Sequence, residues 1–188
     1  MDDIKYFIPI LTFIAGIFTS PMVEALKERR KSKLLKKEVW TELNDELATL
    51  INSIKTTDKS ISNRKLSIET AVLLSLPAKV DFLLLTENLK LLYPLLTREQ
   101  RLSIKNLIRL QDSINECYDL VLEHYKTSNS KAESAEKAML YSKLSLYMLL
   151  LKLTNEKESY VRDNRKNDDL VFEAAKKLQI INTPSKTA

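Results

Sequence analysis

Glycine is almost missing from this chain of 188 residues: Gly16 is the only one. Tight two-residue hairpins depend on Asn-Gly, Asp-Gly and similar pairs, and none occurs, so a sheet built on short turns is excluded. Loops that cradle nucleotide phosphates through bare backbone need glycine too, so a phosphate-binding loop is not expected. A single cysteine, Cys117, rules out an intrachain disulfide and a zinc site built on several thiolates, and fits a reducing compartment. A single histidine, His124, follows it by seven residues. That spacing puts the two on a similar helix face but about 10 Å apart along the axis, too far for a thiolate–imidazole pair. Both fall on an apolar face with Ile114, Tyr118 and Val121, which reads as structural. His-Glu-x-x-His and Gly-x-Ser-x-Gly are absent, and the Asp112/Glu116 carboxylates belong to a solvated face. No catalytic residue, metal ligand or cofactor site is therefore expected, and the chain does not read as an enzyme.

What is present points to helices. Leu, Lys, Glu and Ser dominate, and apolar residues recur at spacings of three and four, so the fold class expected is all-α. The net charge is +5 and the pI about 9.1. Such a balance alone would suggest a nucleic-acid polymer, but its distribution does not. Between Glu24 and Glu38 lie Lys27, Arg29, Arg30, Lys31, Lys33, Lys36 and Lys37. Most of the excess positive charge sits in that one stretch, directly behind an apolar run.

The run extends from Tyr6 to Val23 without a charged residue. Eighteen residues at 1.5 Å each give about 27 Å, near the lower limit for crossing a hydrocarbon core. A cleaved signal would want a basic start and a small-x-small site, whereas the chain opens Met-Asp-Asp and places Pro21 where cleavage would fall. The flanks orient the span: bases after Val23 put the N-terminus outside and the rest in the cytoplasm, at the inner or plasma membrane. The basic cluster would lie among lipid headgroups. Thr12, Gly16 and Ser20 form a small-xxx-small row that allows close approach of a second span. Ser20-Pro21 either kinks one long helix or starts another. The expected organisation is an extracytoplasmic N-terminus and span over 1–23, a basic helical stalk over 24–38, a cytoplasmic helical bundle over 39–182 and a loose tail over 183–188.

Within the bundle, Trp40, Leu43, Leu47, Leu50 and Ile54 make a two-heptad seam, either a coiled coil between copies or a face packed within the chain; intrachain packing is favoured. Residues 56–66 read as a polar connector. Short proline-punctuated pieces follow: one opening at Ser67, a helix start at Ser75-Leu-Pro77, and an interruption at Pro94. Thr97-Arg-Glu-Gln100 is a capping box opening a helix to about Lys126. Next come a break near Lys126–Ser130, a helix over about Lys131–Asp163 whose middle is apolar nearly all round, and a last helix over Asp168–Ile181 capped by Asn167.

The helix that starts at Thr97 has a charge order opposed to its dipole. Arg98, Arg101, Lys105 and Arg109 occupy its first half, and Asp112, Glu116, Asp119 and Glu123 its second, each at a cost of a few tenths of a kcal/mol. The compensation expected is a neighbouring helix, a second copy or an anionic ligand, which makes the basic half the candidate anion or partner surface. The sequence thus describes a non-enzymatic, membrane-anchored bundle that binds a protein partner, another copy or a small anionic ligand. The alternative is an oligomerising effector that permeabilises or depolarises the membrane, as in antiviral defence or toxin systems.

Overall fold

The computed structural model of the chain describes residues 3–66, 75–125 and 129–183; the side chains of residues 3–18, 20, 65 and 66 lie outside that set. Five α-helices occur among the described residues, α1 (Asp3–Leu66), α2 (Leu83–Leu92), α3 (Arg98–His124), α4 (Asn129–Glu156) and α5 (Asn167–Leu178), with no strand. The all-helical expectation holds. Among the described residues no helix is long and apolar enough to cross a membrane. Most of the Tyr6–Val23 run, with the Thr12–Gly16–Ser20 row, falls on side chains outside that set.

Helix α1 is 64 residues long, or about 96 Å. It passes Pro9 and Pro21 as one element, so Ser20-Pro21 starts no second helix. It also continues through 56–66, where the sequence suggested a connector. The reason lies in the seam. Its three-and-four spacing does not stop at Ile54 but goes on to Thr57, Ile61 and Arg64, and all three are buried. Polar side chains at seam positions hide the hydrophobic repeat, yet here they meet matching groups on α4.

Helix α4 is the hub, packing against α1, α3 and α5. Leu144, Leu146, Tyr147, Leu150 and Leu153 are all buried, as a helix apolar nearly all round requires. Trp40, Leu43, Leu50 and Ile54 of the seam are buried in the same core and Leu47 packs half-buried against it, so the seam is used within the chain. Contacts at the two ends fix the directions. Lys36 Nζ donates to Leu95 O at 3.1 Å and pairs with Glu158 at 2.7 Å, and Gln100 Nε2 donates to Lys157 O at 2.8 Å. At the other end Arg64 pairs with Glu136 and lies 5.7 Å from the centre of the Tyr125 ring. Helix α3 therefore runs parallel to α1, starting beside Lys36, and α4 returns antiparallel.

Several boundaries differ from the sequence reading for local reasons. Ser75-Leu-Pro77 starts no helix: residues 75–82 have no regular structure. The Asn115 side chain clips that segment to α3, accepting from Val80 N at 3.0 Å and donating to Val80 O at 2.9 Å. Helix α2 begins at Leu83, and its cap comes from another helix. The Glu42 carboxylate on α1 accepts from Leu84 N at 2.7 Å and Leu85 N at 2.8 Å. Pro94 does interrupt, inside a 3-10 turn over Tyr93–Leu95. The Thr97 capping box is present in both directions, Gln100 N to Thr97 Oγ1 at 3.2 Å and Thr97 N to Gln100 Oε1 at 2.8 Å.

Helix α4 ends at Glu156, short of the expected Asp163, because Lys157 adopts a left-handed φ of 45° and its carbonyl is held by Gln100. A strap over 160–166 then leads to α5. Lys166, not Asn167, occupies the N-cap, and the Asn167 amide instead donates to Tyr141 Oη and Ser145 Oγ, each at 2.9 Å. Asp168, Asp169, Lys176 and Lys177 complement the dipole of α5 as expected. The helix closes at Leu178, before the expected Ile181, with Gln179 at φ 58° where glycine is the usual residue. Beyond it Asp58 of α1 accepts from Ile181 N and Asn182 N, tying those two residues to α1. The piece beginning at Ser67, most of the Lys126–Ser130 break and tail residues 184–188 lie outside the described residues.

Candidate functional site

A cleft of about 760 Å³ opens between α3, α4, the 160–166 strap and the start of α5. That volume is in the range of small-molecule sites. Its composition follows from the helix faces that meet there. Leu110 from α3, Met148, Leu149 and Leu151 from α4, and Leu170 from α5 supply apolar walls. Around them stand Asn106 and Arg109 of α3, Lys152 and Asn155 of α4, and Arg162, Asp163, Arg165 and Asn167 beyond it. Four bases (Arg109, Lys152, Arg162 and Arg165) face two acids (Glu156 and Asp163), so the rim is positive.

The charges on the rim are not equally free. Arg165 grips Asp163 through Nε at 3.1 Å and Nη2 at 2.8 Å and also pairs with Glu173. Its hydrogen bonds hold the Asp163 carboxyl down at about 2. Lys152 lies 5.9 Å from the centre of the Tyr160 ring and 3.9 Å from Glu156, a loose contact. Tyr160 is buried, and its hydroxyl accepts from Ser103 Oγ at 2.7 Å; burial pushes its pKa up. Arg109 is exposed, and no carboxylate among the described residues lies in ion-pair range of it. The Asp163–Arg165 pair of the strap is thus self-satisfied, while Arg109 and the exposed Arg162, neither in an ion pair among the described residues, remain available for an anion.

The candidate basic row is divided by the structure. Arg109 lines the cleft. Arg101 and Lys105 lie instead beside Tyr93, 5.4 Å and 5.8 Å from its ring centre, and Arg98 is exposed at the first turn. In the acidic half, Asp119 pairs with Lys79 at 2.7 Å. Of the bases that follow Val23, Lys27, Arg29, Arg30, Lys31, Lys33 and Lys37 are exposed, whereas Lys36 is half-buried and belongs to the bundle through Leu95 and Glu158. Cys117 and His124 are both half-buried, and burial pushes the Cys117 thiol up, away from a reactive thiolate. No group of His, Cys, Asp and Glu suited to a metal occurs among the described residues.

A second hollow, between α1 and α2, is lined by Leu34 and Leu84. It carries Glu38, Glu42, Asp45 and Glu46 against Lys37, the wrong sign for an anion.

Sequence reasoning missed one cluster altogether. In the core between α1 and α4, Arg64 donates to Glu136 through Nε at 3.0 Å and Nη2 at 2.8 Å, Ser60 Oγ donates to Glu136 at 2.9 Å, and Lys143 Nζ donates to Thr57 Oγ1 at 2.9 Å. Arg64, Glu136 and Lys143 are buried essentially completely. Burial pushes Lys143 down to about 7, with the Glu136 charge opposing. The signal was there as charged residues at core spacing, Thr57–Ile61–Arg64 on one helix and Glu136–Met139–Lys143 on the other.

No protein family, curated protein or solved structure matches this chain.

Proposed function

We propose that the protein is a non-enzymatic binding bundle, tethered to the cytoplasmic face of a membrane by the apolar start of α1, whose cleft takes a small organic anion with an apolar part. The observation that carries this reading is the cleft itself, with leucine and methionine walls under a rim where Arg109 has no carboxylate partner among the described residues. Apolar walls favour a hydrophobic body, and an unpaired guanidinium favours a carboxylate, sulfonate or phosphate through charge-assisted hydrogen bonds. Of the other polar groups nearby, Tyr160 is committed to Ser103 and Asn167 to Tyr141 and Ser145, which suits positioning more than chemistry. The tether rests on the uncharged run Tyr6–Val23 followed by seven bases.

Calorimetric titration of the full chain in lipid nanodiscs with 1-naphthyl phosphate tests the cleft. Saturable binding is expected, weakened about ten- to a hundredfold in Arg109→Gln, the range for losing one charged hydrogen bond. Equal affinity of wild type and variant, or no saturation, would discard the cleft as the binding surface.

A second reading, an effector whose copies assemble and open the membrane, is favoured by one feature. Helix α1 runs unbroken from the apolar run into the core, so a change in bundle packing acts directly on the span. Release of a trapped dye from vesicles carrying the protein is its expected sign, and intact vesicles at every protein density would remove it.

A further inference from the structure

The charge order of α3 acquires a direction once the fold is known. Because α3 runs parallel to α1 and starts beside Lys36, its basic half points toward the stalk and its acidic half away. The positive end of its dipole points the same way. At that end Arg98 and Lys105 are exposed, Arg101 is half-exposed, and Lys90, in the last turn of α2 three residues before Tyr93, is exposed as well. Exposed Leu91 and the half-buried ring of Tyr93, with Arg101 and Lys105 at its face, complete a surface that is basic, aromatic and partly apolar. The acids on these elements are Glu87, exposed one turn before Lys90, Glu99, and Glu158, which pairs with Lys36.

We propose that this end of the bundle, through Lys90, Arg98, Arg101 and Lys105, docks on an anionic lipid bilayer. The proposal rests on the membrane-anchor reading above. Bases flanked by an aromatic ring and an exposed leucine are the composition that sits in an anionic headgroup layer. The stalk that leads to this end of the bundle carries further exposed bases, Lys27, Arg29, Arg30, Lys31, Lys33 and Lys37. An anionic membrane also answers the dipole problem, because it compensates in one contact the bases and the helix N-terminus that oppose each other within α3. Lys36 lies thirteen residues after Val23, or about 20 Å along the helix axis. An upright stalk would hold the surface above the headgroups. Spans tilt by about 20° on average and up to about 40°, and a lean toward α3 lowers this side of the bundle into the roughly 8 Å range of the surface charge.

The test uses the full chain in nanodiscs, with a donor dye at Leu102→Cys in a Cys117→Ser background and acceptor dyes on lipid headgroups. Energy transfer is compared between phosphatidylserine-containing and pure phosphatidylcholine discs. The Leu102 label is expected to lie at least about 3–6 Å closer to the lipid in the anionic discs, the drop that such a tilt gives at a lateral offset of about 10 Å or more from α1. Salt at about 0.5 M, where the screening length falls to about 4 Å, should abolish the difference in the wild-type sequence. The triple variant Arg98→Gln, Arg101→Gln, Lys105→Gln should abolish it too. Equal transfer from Leu102 in both lipids, or an approach that survives both salt and the triple variant, overturns the docking surface while leaving the anchor in place. A chain that fails to enter either disc overturns the anchor reading and this proposal with it.

Discussion

Replacing Lys143 by methionine should make the protein more stable, and the gain should depend on pH in a defined direction. The ammonium is fully buried, with Thr57 Oγ1 as its hydrogen-bond partner, and burial pushes its pKa down to about 7 from an ordinary 10.5. Between those two values the unfolded chain carries the proton and the folded one does not. The unfolded state therefore binds more protons, and stability rises with pH at up to ~1.4 kcal/mol per pH unit. Over the whole interval this is on the order of 5 kcal/mol, absent at low pH and recovered as pH approaches 10.5. Methionine fills a similar volume without a charge, and Glu136 keeps Arg64 and Ser60 as partners. Urea unfolding followed by helical circular dichroism at pH 6 and pH 9 measures this. Wild type should gain roughly 3 kcal/mol more than Lys143→Met between the two pH values. Parallel changes in the two proteins would refute the buried-lysine reasoning.

Two further changes probe parts of the fold that depend on single side chains. Glu136→Gln leaves the Arg64 guanidinium buried without its anion and should cost about 3–5 kcal/mol, whereas the double change Arg64→Met, Glu136→Met should recover most of it; a Glu136→Gln protein within about 1 kcal/mol of wild type would contradict the pairing. Glu42→Ala removes the cap that α1 supplies to α2 and should cost about 1 kcal/mol. Faster hydrogen exchange at the Leu84 and Leu85 amides, with α4 unaffected, is the expected sign, and unchanged exchange there would show that the cap does not hold the helix start.

The features legible in the sequence were those carried by local chemistry. The Thr97–Gln100 capping box, the Pro94 interruption, the buried middle of α4 and the Trp40–Ile54 seam needed nothing beyond spacing and residue type. The rest depended on partners far along the chain. Thr57 and Arg64 read as connector residues because their seam positions are polar, and partners far along the chain, Lys143 and Glu136 on α4, make those positions favourable. The start of α2 has no cap of its own and takes one from Glu42, forty-two residues upstream of Leu84. Asn167 carries a good capping side chain, but Tyr141 and Ser145 compete for it and the cap moves to Lys166. The basic row of α3 was visible as a conflict with the helix dipole. Its division between the cleft at Arg109 and the stalk-facing surface at Arg98, Arg101 and Lys105 follows from where α4, the strap and Tyr93 lie.

The tether is the claim on which the location of every other surface depends, and a dual reporter fused after Ala188, active as a phosphatase only outside the cytoplasm and as a fluorophore only inside, tests it directly in bacterial cells. Fluorescence without phosphatase activity, from protein that stays in the membrane pellet through an alkaline carbonate wash, is the expected result. Phosphatase activity, or release of the fluorescent protein by the wash, would contradict it.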